Sequence, residues 1–179
     1  MTKKDDFVIV LDYLPYGYPL EGKMMPVVQA IGEKFFALLE LAPIRGSSFT
    51  LDERIYIGPE KRDKINHIIG RLSGEKLTEQ AKAKLQEFIA NVVKERENEF
   101  IEFFNNARAI NTRLHQLRLL PGFGNKHMKE LLQEREKKKF DSFEEIRERV
   151  GNIPDPRKTI EKRLLEEIME KQRHALFVI

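Results

Sequence analysis

No cysteine occurs in this sequence. That excludes a disulfide framework, a thiolate metal site and a cysteine nucleophile, and it fits a reducing compartment. There is also no apolar run near the roughly 18 residues that a membrane-spanning helix needs. The opening stretch MTKKDDFVIVLDYLPYG has a charged head, but Asp12 interrupts its short apolar run. It reads as a strand and not as a signal peptide. The cytoplasm is the expected location, with no membrane partner. Neither a phosphate-binding loop of the GxxxxGKS or GxxxxGKT kind nor a GxSxG elbow is present. The histidines His67, His115, His127 and His174 pair with no second ligand at a metal-binding spacing. No metal, no cofactor and no catalytic constellation is expected, so the chain does not read as an enzyme. The acids in 144–148 and 166–170 alternate with Lys and Arg, as exposed helix faces do.

What is present is a soluble globular composition: 179 residues, 41% hydrophobic and 34% charged, enough for one large or two small domains. The net charge of +3 is unevenly placed. Residues 108–139 carry nine Lys/Arg against three Asp/Glu, a net +6. The flanking segments 1–75 (ten against eleven), 76–107 (five against six) and 140–179 (eight against nine) are each net −1. A local basic field of this kind suits a polyanionic partner. For Lys137, Lys138 and Lys139 alone, a solvated helix end that complements the helix dipole is an equal reading.

Five short apolar runs occupy the first part of the chain: 7–14, 26–32, 34–42, 53–58 and 64–72, punctuated by Gly, Pro, Ser and Asp. They predict a small five-stranded β-barrel over 1–74, of the oligonucleotide-binding (OB) or SH3-like kind. The residue types of EKFFALLELA also allow a helix. The connection 43–52 is too short for the helix that an oligonucleotide-binding barrel usually places there. From Leu77 the period changes to three and four, predicting a helix over about 78–96. A second helix buries Phe100, Ile101, Phe103, Phe104 and Ala107. Only helical patterns follow, except that HALFVI at the end suits a strand returning to the barrel. The expected class is therefore α+β, with an all-α unit over 75–179.

The segment RLHQLRLLPGFGNKHMKELLQER, Arg113 to Arg135, breaks a helical pattern with Leu-Pro-Gly-Phe-Gly and restarts it at once. Pro121 ends the preceding helix. Gly122 and Gly124 permit positive φ and a tight turn, and Phe123 between them packs inward. A new helix opens at Gly124 or Asn125 with Lys126 in its first turn. The first amides of a helix lack internal partners and carry partial positive charge, so small residues there let an anion approach.

These residues resemble the helix-hairpin-helix motif: apolar Leu120, then Pro121, Gly122, Phe123, Gly124 and Lys126. Met128 departs from the small residue common in that family. Downstream, Ser142 and Glu145 form a capping box, and Gly151, Ile153 and Pro154 echo the first turn. Asp155 or Pro156 stands in place of the second glycine. This is similar to a second, degenerate hairpin with a structural role, the pair covering about 110–171. The resemblance implies RNA or DNA binding with little sequence preference, with Gly122, Gly124 and Lys126 as the phosphate site. Phe123, Asn125 and Lys129 are candidate neighbours in that site, and Arg118, Lys137 and Lys138 are secondary candidates. Asp141 reads as a helix entrance and not as the catalytic acid of helix-hairpin-helix glycosylases. The whole chain resembles an uncharacterised archaeal family of predicted RNA-binding proteins. The rival expectation is a protein-interaction adaptor that docks through the helical unit.

The stretch DYLPYGYP sets Tyr13, Tyr16 and Tyr18 at one turn. Exposed aromatics stack single-stranded bases at about 1–3 kcal/mol each, which makes Tyr13 and Tyr16 secondary candidates. Packing of tyrosines and prolines within the turn is the preferred reading, since only Lys23 and Arg45 supply positive charge nearby.

Overall fold

The apolar, β-branched run FVIVLDYL forms β1 (Phe7–Leu14), with Val8 and Val10 fully buried on its inner face. The computed structural model describes residues 3–22 and 24–178. Four further strands follow: β2 (Val27–Gly32), β3 (Leu38–Pro43), β4 (Arg54–Tyr56) and β5 (Ile65–Arg71). They form one antiparallel sheet in the order β4-β1-β2-β3-β5. Its core joins Val8, Val10, Val28, Ala30 and Leu41 to Ile55, Ile57 and Ile65. Residues of both edge strands share that core, so the sheet curls around it.

The expected closed barrel is not formed. β4 and β5 are the two edges and do not pair, which leaves a half-barrel. β4 is only three residues long and offers too short a ladder. The two edges are fastened by side chains instead. Lys64, just before β5, meets Glu53, just before β4, at 2.5 Å, and also donates to the Ser48 carbonyl at 2.9 Å.

β3 starts at Leu38 and not at Lys34. One Asp5 carboxylate oxygen accepts the amides of Lys34 and Phe35 at 2.7 and 2.9 Å, drawing Lys-Phe-Phe into a turn. Phe36 sits there at φ 62°, a strained conformation for a bulky residue, and is held by burial of its ring. No helix occupies 43–52, as expected. The expected terminal strand is absent among the described residues; Ile179 lies outside them. Buried Glu167 needs donors, and the consecutive amides of Leu176, Phe177 and Val178 supply them at 2.8, 2.9 and 3.0 Å. Three adjacent amides converging on one oxygen cannot also lie alternately along a strand.

Five α-helices complete the chain: α1 (Glu79–Glu95), α2 (Glu97–Asn106), α3 (Asn125–Lys137), α4 (Phe143–Arg149) and α5 (Pro156–Met169). The architecture is thus α+β. Two compact units divide it: residues 1–87 with 167–179, and residues 88–166. The first includes the start of α1, beyond the boundary near 74 that composition suggests. Fully buried Gln29 explains why. Its amide donates to the Lys76 carbonyl at 2.9 Å and accepts from the Thr78 amide at 3.1 Å. The Thr78 hydroxyl donates to Asp12 at 2.6 Å and accepts from the Ala81 amide at 3.0 Å, capping α1. The second unit has its own core, where the Phe104 ring packs against Phe123 and Phe143 at 6.2 and 6.4 Å.

Candidate functional site

The approach to the glycine turn is not the helix that the pattern predicts. Local side chains capture its backbone first. Asn111 Oδ1 accepts the amides of Arg113 and Leu114 at 2.8 and 2.9 Å, and Gln116 Oε1 accepts the Arg108 amide at 2.9 Å. A short antiparallel bridge joins Ala109 to His115, and one 3-10 turn (Gln116–Leu119) follows. His115 Nδ1 caps it by accepting the Leu117 amide at 3.1 Å. Burial, and then the Arg135 charge, hold the His115 pKa below its ordinary value.

The two glycines serve different ends. Gly122 has φ 80°, in the left-handed region, and a Cβ there would stand 3.3 Å from Pro154 Cγ. Gly124 has φ −97° and ψ −179°, extended backbone that any residue adopts. A Cβ at Gly124 would meet nothing within 4 Å. The expectation of positive φ at both glycines therefore fails at Gly124, where the fold makes no demand for glycine. Phe123 is buried as expected.

α3 starts with no side-chain cap at Gly124. The Gly124 amide donates to His127 Nδ1 at 3.3 Å. The amides of Asn125, Lys126 and His127 meet no acceptor among the described residues. Its first turn contains no acid and instead contains Lys126. Its neighbours are different. Ser142 Oγ accepts the Glu145 amide at 3.0 Å, with Glu144 and Glu145 in the first turn of α4. Asp155 Oδ1 accepts the Arg157 amide at 3.1 Å at the start of α5. The second turn thus places a carboxylate where the first leaves open amides. There the left-handed position is filled by Asn152, at φ 57°, and not by Gly151.

Around the open amides, Asn125, Lys126 and Lys129 are exposed, and Arg118 donates from Nη1 to Asn125 Oδ1. Arg108, Arg113, Arg118, Lys126, Lys129 and Lys139 have no carboxylate partner among the described residues. The other three cations of the basic segment are engaged. Arg135 caps α2 through the carbonyls of Phe104 and Ala107, at 3.1 and 2.8 Å, and burial lowers its pKa. Lys137 pairs with Glu134 at 2.9 Å and Lys138 with Asp141 at 3.8 Å. Those two lysines sit at the far end of α3, about 17–18 Å from Lys126 at about 1.5 Å per residue. Arg149, which no motif singles out, caps that end by donating to the carbonyls of Glu134 and Lys138 at 2.5 and 2.7 Å.

In the sheet unit, Tyr13 is half-buried against Phe49 at 5.0 Å. The Tyr18 hydroxyl accepts from Gln29 at 3.3 Å, and burial raises its pKa. Tyr16 alone of the three is largely exposed, at 72%. Lys23 lies outside the described residues. Among the described residues no group of His, Asp and Glu could hold a metal ion, and no helix is long and apolar enough to cross a membrane.

Residues 4–179 match DUF655, a family described as proteins of unknown function. An uncharacterised protein of Methanocaldococcus jannaschii is 43% identical over 178 residues, covering 98% of this chain and 81% of that protein. A crystal structure of a DUF655 protein from Archaeoglobus fulgidus superposes with a TM-score of 0.83 at 39% identity, over 98% of this chain and all of that one.

Proposed function

The chain belongs to DUF655, and we propose that it binds RNA or DNA through phosphate contacts at the N-terminus of α3, without strong sequence preference. One observation carries this. The open amides of Asn125, Lys126 and His127 stand beside a glycine that the fold does not require, in the segment that holds the excess positive charge. A lysine in the first turn of a helix opposes the dipole and costs a few tenths of a kcal/mol. An anion at the amides reverses that sign. The 3-10 turn, the Pro-Gly-Phe-Gly turn and α3 would then act as a helix-hairpin-helix with a shortened first arm. The second turn, packed on Gly122 through Pro154, would be its structural partner. A docking role for the helical unit has less to rest on, since no large apolar side chain is prominently exposed there among the described residues.

The test is fluorescence anisotropy with single- and double-stranded RNA and DNA over a range of salt. Log affinity should fall linearly with log salt, by about 0.9 per duplex phosphate contacted. Lys126→Glu should weaken all sequences alike and lower that slope by about one. Unchanged affinity in this variant would remove the site.

A further inference from the structure

Every prominently exposed large apolar side chain among the described residues lies between Tyr16 and Ile69, within the sheet unit. Two of them, Ile68 at 37% and Ile69 at 48%, belong to β5. This strand has β3 on one side and, among the described residues, no strand on the other. An open edge presents unpaired N–H and C=O groups, and proteins blunt such edges with shortness, lysine, proline, charge or β-bulges. β4, the opposite edge, is blunted: it has three residues, and Arg54 within it pairs with Glu33 at 2.5 Å. β5 has seven residues, and from Ile65 to Gly70 it contains no formal charge and no proline. Its protective device is a pair of register shifts against β3, at Asn66 and Ile69, and these leave the exposed apolar side chains and the uncharged stretch in place.

We propose that β5 pairs antiparallel with β5 of a second copy of this chain, across a two-fold axis at His67. Charge selects both the occupant and the register. Asp63 and Arg71 stand four residues to either side of His67, are exposed, and have no ion-pair partner among the described residues. Antiparallel pairing about His67 sets Arg71 of each copy level with Asp63 of the other. Symmetry makes that contact twice. The same register sets Ile69 across from Ile65 and Ile68 across from Asn66. A slip of one residue either way sets Arg71 against Arg62 or Lys64, so neighbouring registers meet like charges. The occupant is a polypeptide strand because the edge offers main-chain groups, and the uncharged stretch offers nothing to a polyanion.

Size-exclusion chromatography with light scattering, over a broad range of protein concentration, tests this on the full chain. A reversible dimer is expected. Arg71→Asp should weaken it about tenfold, because two ion pairs become two repulsions. Adding Asp63→Arg to that variant should restore the wild-type dissociation constant to within about threefold, as expected for directly coupled positions. Both side chains are exposed, and unchanged melting curves check that the variants fold. A monomer at every concentration overturns the proposal. So does a dimer indifferent to Arg71→Asp, or a double variant that is not rescued. Lys126→Glu should leave the dimer unchanged, which keeps this surface separate from the nucleic-acid site.

Discussion

Replacing Gly124 by aspartate separates the two things that an open helix N-terminus can do. Gly124 already has the extended backbone of a capping residue, and the space where a Cβ would stand is empty. An aspartate therefore fits without strain. Its carboxylate can accept the free amides of Lys126 or His127, as Asp155 does at the start of α5. Relative to glycine, the cap contributes a few tenths of a kcal/mol. The charge at the positive end of the dipole contributes about 0.3–1 kcal/mol more. The sum, about 0.5–1.3 kcal/mol, should raise Tm by roughly 1–5 °C in a chain of this size. Nucleic-acid affinity should move the other way. The carboxylate fills the position of a phosphate, so affinity should fall at least tenfold, with the largest loss at low salt where the added negative charge is least screened. Gly124→Asn is the control: it caps without charge and should stabilise less and weaken binding less. Thermal melts and anisotropy on the same preparations give both quantities. A Gly124→Asp protein that is more stable yet binds as well as the wild type would refute the reasoning. It would mean that the amides are merely uncapped.

Phe123→Ala should cost about 3–5 kcal/mol in urea denaturation, since the ring is buried against Phe104 between the two glycines. Asn105→Ala should destabilise by about 1–3 kcal/mol for each group it strands. Asn105 donates to the Phe140 carbonyl at 2.9 Å and accepts its amide at 2.8 Å, both buried. His115 supplies a pH dependence. Its pKa is lowered in the folded state, so the unfolded chain binds the proton more readily. The stability is fully present above the ordinary value of about 6.5 and is lost as pH falls from there through the lowered folded-state pKa. Melting curves from neutral to mildly acidic pH should show that loss. His115→Asn, which can still cap the 3-10 turn, should flatten it.

Most of the elements were legible because their periodicity is local. The apolar, β-branched run FVIVLDYL marks a strand, and the three-and-four spacing from Leu77 marks a helix and its buried face, before any partner is known. The misplaced elements share a different cause, a polar side chain that takes backbone donors away from the regular pattern. Asp5 turns Lys34–Phe36 out of β3 from thirty residues away. Glu167 gathers the amides of Leu176, Phe177 and Val178, and Asn111 does the same in the approach to the glycine turn. Composition counts such residues as polar and exposed, and nothing in the local pattern shows what they will bind. The barrel fails to close for another reason: pairing β4 with β5 needs a ladder, and three residues of β4 do not make one.

The candidate site was legible in its residues and illegible in its logic. Spacing brought out Gly122 and Gly124 together, and the same argument about positive φ covered both. Only the backbone separates them. Gly122 needs to be glycine for its own conformation and for Pro154, so its presence says nothing about a ligand. Gly124 needs to be glycine for neither, so the fold supplies no reason for it. The same division applies to charge. Counting gave +6 for residues 108–139, yet Arg135, Lys137 and Lys138 are engaged with carbonyls or carboxylates. What is left to attract a polyanion is a smaller set, with Arg118, Lys126 and Lys129 nearest the open amides in sequence. A site of that size should contact few phosphates. The salt dependence of binding should therefore be shallow, and a slope that required all nine basic residues would place the nucleic acid on a different surface.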